Sequence, residues 1–580
     1  MSSVFSSIKN YFHDIFYEDN PNDYNFSLGE QTNPLVTNAS TTFSKNSEAL
    51  NLDNESLTDT SNDKIFPSLD VNLEYIRVRF NEMINSDIII REFTLTARNK
   101  QYSAFLVYID GMTDQDVMNN FILKPLMLKN TANSFEGNQN RVLSEVKTNN
   151  ITVRKVKRFN IVEYISNCLL PQNNVKEFTK FDDIVKAINA GDCALFIDTL
   201  DIAFDVEVKG YERRSLTTPH NEMVVRGAQV GFTENLRTNT SLLRKIVNNE
   251  NLVIENIPVG NISKTKCGVC YMKNIANSDL VGEVKFRLSN LSIDSLLSTG
   301  QLEQLLEEEE TFGIPQLIST ERPDKCCKYL FQGRIIILIN GNPYALIAPA
   351  TIEDFLFSPE DTNLKPIFTN FLRAIRLIAG IITLLLPGLY IAVTSFHQEI
   401  LPTELLFSIL SARENVPFPM IFELLLMEFS FELIREAGLR VPSPIGSTIG
   451  IVGALILGDA AVNAGIVSPI LIIVVAITGI SSFAIPDFSF GFHLRVFRFI
   501  FIALGFTAGF LGIGIGLFIY LTLLCSLKSF GVPYTSPITP SSSDNNGYFI
   551  PPVWKQEFRD SFLSPKRKKS QAKISMKWKY

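Results

Sequence analysis

Between Val441 and Pro486 the chain runs 46 residues with a single charged side chain, Asp459. A helix needs roughly 20 apolar residues to cross the hydrocarbon of a bilayer, so this stretch predicts two crossings. A carboxylate at that depth costs on the order of 3 kcal/mol on insertion scales. Asp459 is therefore expected to face protein, water or an ion, and it becomes the first residue of functional interest.

The rest of the sequence divides around this feature. Of the 580 residues 46% are hydrophobic, but nearly all the long apolar runs fall within 371–528. Residues 1–64 form a polar leader, rich in Asn, Ser, Thr and Asp from 17 onward, whose composition predicts disorder. The N-terminus lacks the basic region, apolar core and cleavage site of a signal peptide, so the domain ahead of the first span is expected to be cytoplasmic. The net charge of −7 gives no reason to expect a nucleic-acid partner.

Residues 65–365 alternate short apolar strands with helical patterns, as α/β domains do. Strands are expected at 105–109, 194–197 and 335–339, and helices at 114–128, 181–189, 235–247 and 295–310. LVYIDGMTDQDVM (106–118) parallels VCYMKNIANSDLV (269–281), and GDCALFID (191–198) parallels GRIIILIN (333–340). The order is the same in both halves, which predicts two related α/β subdomains, 65–215 and 216–365, with a cleft between them. Cys267, Cys270, Cys326 and Cys327 invite comparison with a zinc site, but Cys270 sits in a strand-like run where a cysteine serves as a small core residue. The four histidines are dispersed, and no metal or cofactor is expected.

The fold class expected is thus an α/β soluble region followed by an α-helical polytopic membrane domain, 366–528, and a polar, basic C-terminal tail, 529–580. Spans are expected near 377–396, 445–466, 469–486 and 499–527, the last as one long helix. Residues 418–436 differ, with Glu428, Glu432, Arg435 and Glu436 within about 100° of arc and Glu423 one turn earlier. Two readings stay open: a helix lying in the interface with its charged face in water, or one whose acidic face lines a cation path. Counting charges does not close the topology. Five spans put Arg435, Arg440, Arg495 and Arg498 inside but the tail outside, and four spans do the reverse. The four-span count, with 418–436 flat and the tail cytoplasmic, is the working expectation.

Asp459 and Asn463 are i,i+4 neighbours, so the amide can bond the carboxylate as an interhelical clamp or help it hold an ion. Candidate ion-path or gating residues are accordingly Asp459, Asn463, Glu423, Glu428, Glu432 and Glu436. Gly446, Gly450, Gly453, Gly505, Gly509, Gly512 and Gly516 recur at spacings that let helices pack closely.

The run IVGALILGDAAVNAGIVSP (451–469), preceded by PFPMIFELLLMEFSFELIREAGLRVPSPIG (417–446), resembles the A subunit of GerA-type spore germination receptors. FLVYIDGM (105–112), VVRGAQVGFTENLRTNTSLLR (224–244) and STERPDKCCKYLFQGRIIILINGNPYALIAPAT (319–351) extend the resemblance in order. Ala228 departs from it, standing where a proline is usual. The resemblance implies a multi-pass subunit of the spore inner membrane, its partners a transporter-like B subunit, a lipoprotein C subunit and further copies of itself. It implies nutrient sensing through an oligomeric ion-conducting or signal-transmitting component. A secondary transporter is the alternative, since proline- and glycine-interrupted helices suit that class. No phosphate loop, metal-ligand pattern or nucleophile elbow argues for an enzyme.

Overall fold

Two five-stranded sheets repeat one another strand for strand. The computed structural model describes residues 28, 64–97, 100–127, 161–172, 174–210, 218–219, 221–308, 313–414, 416–440, 458–540 and 548–570. Apart from residues 28 and 64, the polar leader lies outside them. In the first unit, helix α1 (Leu69–Phe80) precedes strands β1 (Ile88–Ala97) and β2 (Lys100–Ile109), and short helical turns lead on to β3 (Val175–Phe178), α2 (Phe181–Asn189), β4 (Cys193–Ile197) and β5 (Ala203–Val206). In the second, α3 (Leu236–Ile246) precedes β6 (Leu252–Val259), β7 (Thr265–Met272), α4 (Ser278–Asn290), α5 (Thr299–Leu306), β8 (Ile318–Thr320), α6 (Pro323–Gln332), β9 (Ile335–Ile339) and β10 (Ala345–Ala348). The orders are β1-β2-β4-β5-β3 and β6-β7-β9-β10-β8, one pattern used twice, with every pair antiparallel.

The repeat reaches to single residues. Asp114 caps the short helix after β2, and Asn277 caps α4 after β7, each side chain accepting from the backbone N–H two residues on. Gly191 and Gly333 open the approach to β4 and β9 with φ of 95° and 101°, a conformation that favours glycine. Each sheet is buried on both faces, so its central strands are continuous apolar runs. FLVYI in β2 and IIILI in β9 are buried throughout. Cys267 and Cys270 lie three apart on β7 and enter the cores on opposite sides of the sheet, so they cannot share a metal ion.

Arg244 of α3 ties the two units together. It is 1% exposed, and it donates to both carboxylate oxygens of Asp87 at 2.8 Å and to Asn85 at 3.1 Å. Removing one partner of such a buried pair strands the other. Arg244→Met is expected to destabilise the soluble half by about 3–5 kcal/mol, and thermal melting of the full-length protein checks this. An unchanged melting temperature would mean that other contacts hold the units.

The helical half begins with α7 (Pro366–Phe396) and continues through α8 (Thr403–Arg413), α9 (Met420–Arg440), a short helix at 458–463, α10 (Pro469–Phe483) and α11 (Phe488–Ser526). Among the described residues, α7 and α11 are long and apolar enough to cross a bilayer, and α10 is a shorter apolar helix. Of the span expected near 445–466, residues 445–457 lie outside the described residues. Phe371, Ile378, Phe429, Ile480, Phe506 and Phe518 point outward, all at least 45% exposed.

α9 runs alongside α10, held by Glu423 to Ser468 at one end and Arg435 to Ser482 at the other. Glu423, Glu428 and Glu432 turn toward Arg413, Arg498 and Arg435. One sequence expectation changes here. The long span expected over 499–527 is broken at Gly509, where φ is 57° and ψ is −137°. Tyr520 Oη lies 3.2 Å from His493 Nε2, although 27 residues of straight helix would part them by about 40 Å. α11 is therefore a hairpin of two limbs, 488–508 and 510–526, folded at a glycine.

The hairpin returns the chain to the second unit. Phe355 stacks on Phe490 at 5.7 Å, and the core of that unit continues through Phe501, Tyr520, Leu527 and Tyr534. Tail residues 528–540 and 548–570 pack on the same unit, Ser529 Oγ donating to the Gln316 carbonyl at 2.7 Å and Ile352 N–H to that of Tyr534 at 2.9 Å.

Candidate functional site

α9 is apolar except on the stripe that faces α10 and α11, and that stripe holds the charges. Glu428 and its partner Arg498 on α11 have side chains 0% exposed, with Arg498 Nη2 2.9 Å from Glu428 Oε2. That contact has ion-pair distance without hydrogen-bond geometry. The same Nη2 donates to Glu432 Oε1 at 2.9 Å. Arg435 donates to both oxygens of Glu432 at 3.2 Å and to Ser482 Oγ of α10 at 2.7 Å. Two carboxylates and two guanidiniums thus join three helices with their charges balanced. Arg435 also lies over the rings of Phe431 and Phe483, at 5.0 and 4.6 Å, which favours a planar cation there.

Glu423 has a separate partner set. It is 1% exposed, it takes Arg413 of α8 at 3.1 Å, and it accepts the Ser468 N–H at 3.2 Å. Glu436 is exposed at the end of the stripe where α9 passes α10. On the acidic face that the sequence left open as water-facing or cation-lining, Glu423, Glu428 and Glu432 are paired with Arg413, Arg498 and Arg435. Arg498 and Arg413 were absent from the sequence reading of this face. One signal lay in Arg495 and Arg498, a pair three residues apart at the head of an otherwise uncharged run. Such arginines in an apolar helix call for buried acids.

Asp459 and Asn463 differ from the stripe. Both are exposed on the 458–463 helix, beside the start of α10. Among the described residues no hydrogen bond joins them to each other or to another side chain. Gly446, Gly450 and Gly453 lie outside the described residues. A Cβ on Gly505 would sit 2.5 Å from the Gly388 carbonyl oxygen, and one on Gly388 2.6 Å from that of Phe501, so α7 and α11 cross in backbone contact. Gly509 lies against His397 and Phe396, and Gly512 and Gly516 lie against Leu504 of the other limb. No group of three or more His, Cys, Asp or Glu side chains that could hold a metal occurs among the described residues. The described residues offer a dry charge latch inside the bundle and, outside it, exposed carboxylates that include Asp459.

A twice-used α/β unit joined to a bundle of apolar helices defines the class, and the sequence comparisons give the family. Residues 74–562 match the model described as Bacillus/Clostridium GerA spore germination protein, and the chain belongs to that family. It is 36% identical over 511 residues to Spore germination protein KA of Bacillus subtilis (strain 168), covering 88% of this chain and 89% of that one. Spore germination protein B1 of the same organism is 37% identical over 449 residues, covering 77% and 87%. The uncharacterized membrane protein YfkQ, also of that organism, is 34% identical over 511 residues, covering 88% and 94%. The crystal structure of the N-terminal domain of the A subunit of the Bacillus megaterium spore germinant receptor GerK3 aligns over 50% of this chain and 97% of that one, at 27% identity and a TM-score of 0.35.

Proposed function

We propose that this chain is a multi-pass membrane subunit of a spore germinant receptor that carries the nutrient signal as an oligomeric ion-conducting or signal-transmitting component. It works with B-type and C-type partner subunits in the spore inner membrane. The observation that carries this reading is Asp459. The buried acids of α9 have arginines, whereas Asp459 stands exposed on an apolar bundle with no hydrogen-bond or ion-pair partner among the described residues. In lipid such a carboxylate costs on the order of 3 kcal/mol, and contact with another chain or a watered path relieves that cost. Asn463, one turn on, is placed to share the contact.

The hairpin of α11 supports a topology that the sequence alone left open. With α7, α9, the stretch near 445–466, α10 and two limbs of α11 as passes, the count is six. Arg373, Arg376, Arg435 and Arg495 then lie toward the end that meets the second α/β unit, and the tail returns to that end as well. The positive-inside rule places this end, and the soluble half with it, in the cytoplasm. The outward apolar side chains and a relative described as a membrane protein both favour lipid around the bundle.

The test compares ion release from spores carrying wild-type chain, Asp459→Asn or Asp459→Asn with Asn463→Ala. Release slowed at least about tenfold, on the order of 1.4 kcal/mol of barrier, is expected at normal protein abundance. Wild-type release from the double variant would remove the residue from any ion path. Substrate uptake by the purified subunit alone in liposomes would instead favour a transporter.

A further inference from the structure

Residues 548–570 of the tail are tied to the first turns of α7. The Asn370 amide donates to the Ile550 carbonyl at 3.1 Å and accepts the Ile550 N–H at 2.9 Å. Tyr548 Oη donates to the Arg373 carbonyl at 2.7 Å, and the Arg373 guanidinium donates to the Tyr548 carbonyl and lies 5.0 Å from the ring centroid. These ties fix the height of the tail. Asn370 and Arg373 precede the span read at 377–396 by about 6–10 Å along the helix axis, and headgroups occupy that depth outside the hydrocarbon.

At that height the tail turns large apolar side chains outward. Phe549, Val553 and Trp554 are each more than half exposed, as are Phe368 and Phe371 on either side of the Asn370 contact. The exposed charges of the same segment have one sign. Lys555, Lys566, Arg567, Lys568 and Lys569 are exposed, whereas Glu557 and Asp560 are half-buried. Among the described residues, no carboxylate lies within ion-pair distance of these five cations. Arg559, itself buried, builds the arrangement. Its backbone N–H donates to the Lys568 carbonyl at 2.9 Å, and its guanidinium to those of Arg567 at 2.9 Å and Lys569 at 2.5 Å. The basic run is thus held by its backbone, which leaves its side chains free to face outward. Phe558 and Lys569 stand opposite one another in an antiparallel bridge, so their side chains leave on the same face.

We propose that this segment is a peripheral membrane anchor. Phe549, Val553 and Trp554 enter the interface of the leaflet from which α7 starts, and Lys555 with the run 566–569 binds anionic lipid headgroups. Aromatic side chains settle at headgroup level in membrane proteins, and clusters of four or more Lys and Arg beside a span draw anionic lipid. Lipid fits better than an acidic protein because the apolar patch continues into the outward side chains of α7, Ile375 and Ile378 among them, which the same bilayer covers. The segment also grips the second unit, Arg559 donating to the Phe331 carbonyl at 2.6 Å and the Lys566 N–H to that of Ile275 at 2.9 Å. Lipid bound to the tail therefore holds that unit against the bilayer. The anchor rests on the reading of α7 as a span, and the two fail in different ways.

The test uses the full-length chain carrying Trp578→Phe, which leaves Trp554 as its sole tryptophan, reconstituted in liposomes whose acyl chains are brominated near the headgroup. With about one-third phosphatidylglycerol in the bilayer, bromination is expected to lower Trp554 emission at least about twofold, and the quenching should be at least about twofold weaker in pure phosphatidylcholine. Arg567→Gln, Lys568→Gln and Lys569→Gln together should bring quenching down to the phosphatidylcholine level. Lys176→Gln, Lys180→Gln and Lys186→Gln together, exposed on the first unit, should leave it unchanged. Should the first triple variant not fold, salt at about 1 M, which screens charges beyond about 3 Å, is expected to weaken the quenching of the unmutated tail in the same way. A chain that alkaline carbonate strips from the liposomes overturns the span and the anchor with it. A chain that stays inserted with Trp554 unquenched, or quenched alike in both lipids, overturns the anchor alone. Emission that follows the protein-to-lipid ratio instead of bromination gives the face to a second copy and overturns it too.

Discussion

Arg498→Met is expected to lower the melting temperature of the full-length protein more than any other single change in the bundle. The substitution leaves Glu428, itself 0% exposed, with no cation within ion-pair distance, and it takes from Glu432 one of two partners. Breaking a buried pair on one side costs about 3–5 kcal/mol, and an apolar surround deepens the penalty for the stranded acid. The double variant Arg498→Met with Glu428→Met should recover most of the loss, because Glu432 keeps Arg435 and both new side chains suit the interior. A double-mutant cycle in nanodiscs, read by thermal melting, should give a coupling of about 2–3 kcal/mol. Wild-type melting of Arg498→Met would mean that the latch does not hold the bundle together.

Gly505→Leu should be nearly as damaging, for a steric reason. A Cβ there meets the Gly388 carbonyl oxygen at 2.5 Å, a backbone atom that cannot turn aside. α7 and α11 must separate, and the contacts along both helices are lost together. Overpacking costs about 1–3 kcal/mol in ordinary cores, and a rigid backbone neighbour puts this site at or above the top of that range. Gly514→Leu is the control, since nothing lies within 4 Å of a Cβ at that position. The expected result is a sharp fall in folded yield and melting temperature for the first variant and little change for the second. Equal behaviour of the two would refute close helix contact at Gly388 and Gly505.

Much of the soluble half was legible because its signals are local. Apolar runs at 105–109, 194–197 and 335–339 fall inside strands, and the paired motifs at 106–118 and 269–281 sit at equivalent places in the two sheets. Antiparallel pairing and strand order were not legible, because they depend on contacts between segments far apart in sequence. In the bundle, composition located the apolar helices but not what their charges meet. A helical wheel shows Glu428 and Glu432 on one face without showing Arg498 across from it. Periodicity also reads straight through Gly509, because a glycine at left-handed φ leaves no mark on the apolar pattern to either side. The charge count that would not close was the one sequence-level trace of that fold-back.

The shared core of the second unit and the hairpin has a mechanical consequence. The limb 510–526 is a helical strut, its turn at Gly509 seated against His397 and its foot running through the Lys528–Pro533 hairpin to Tyr534, beside Phe355. Strain applied at the distal tip can reach the second unit through the side chains that this strut buries in the shared core, Tyr520 and Leu524 among them. A tug on the sheet travels outward along the same strut, so the two halves of the molecule can act as load and lever in either direction.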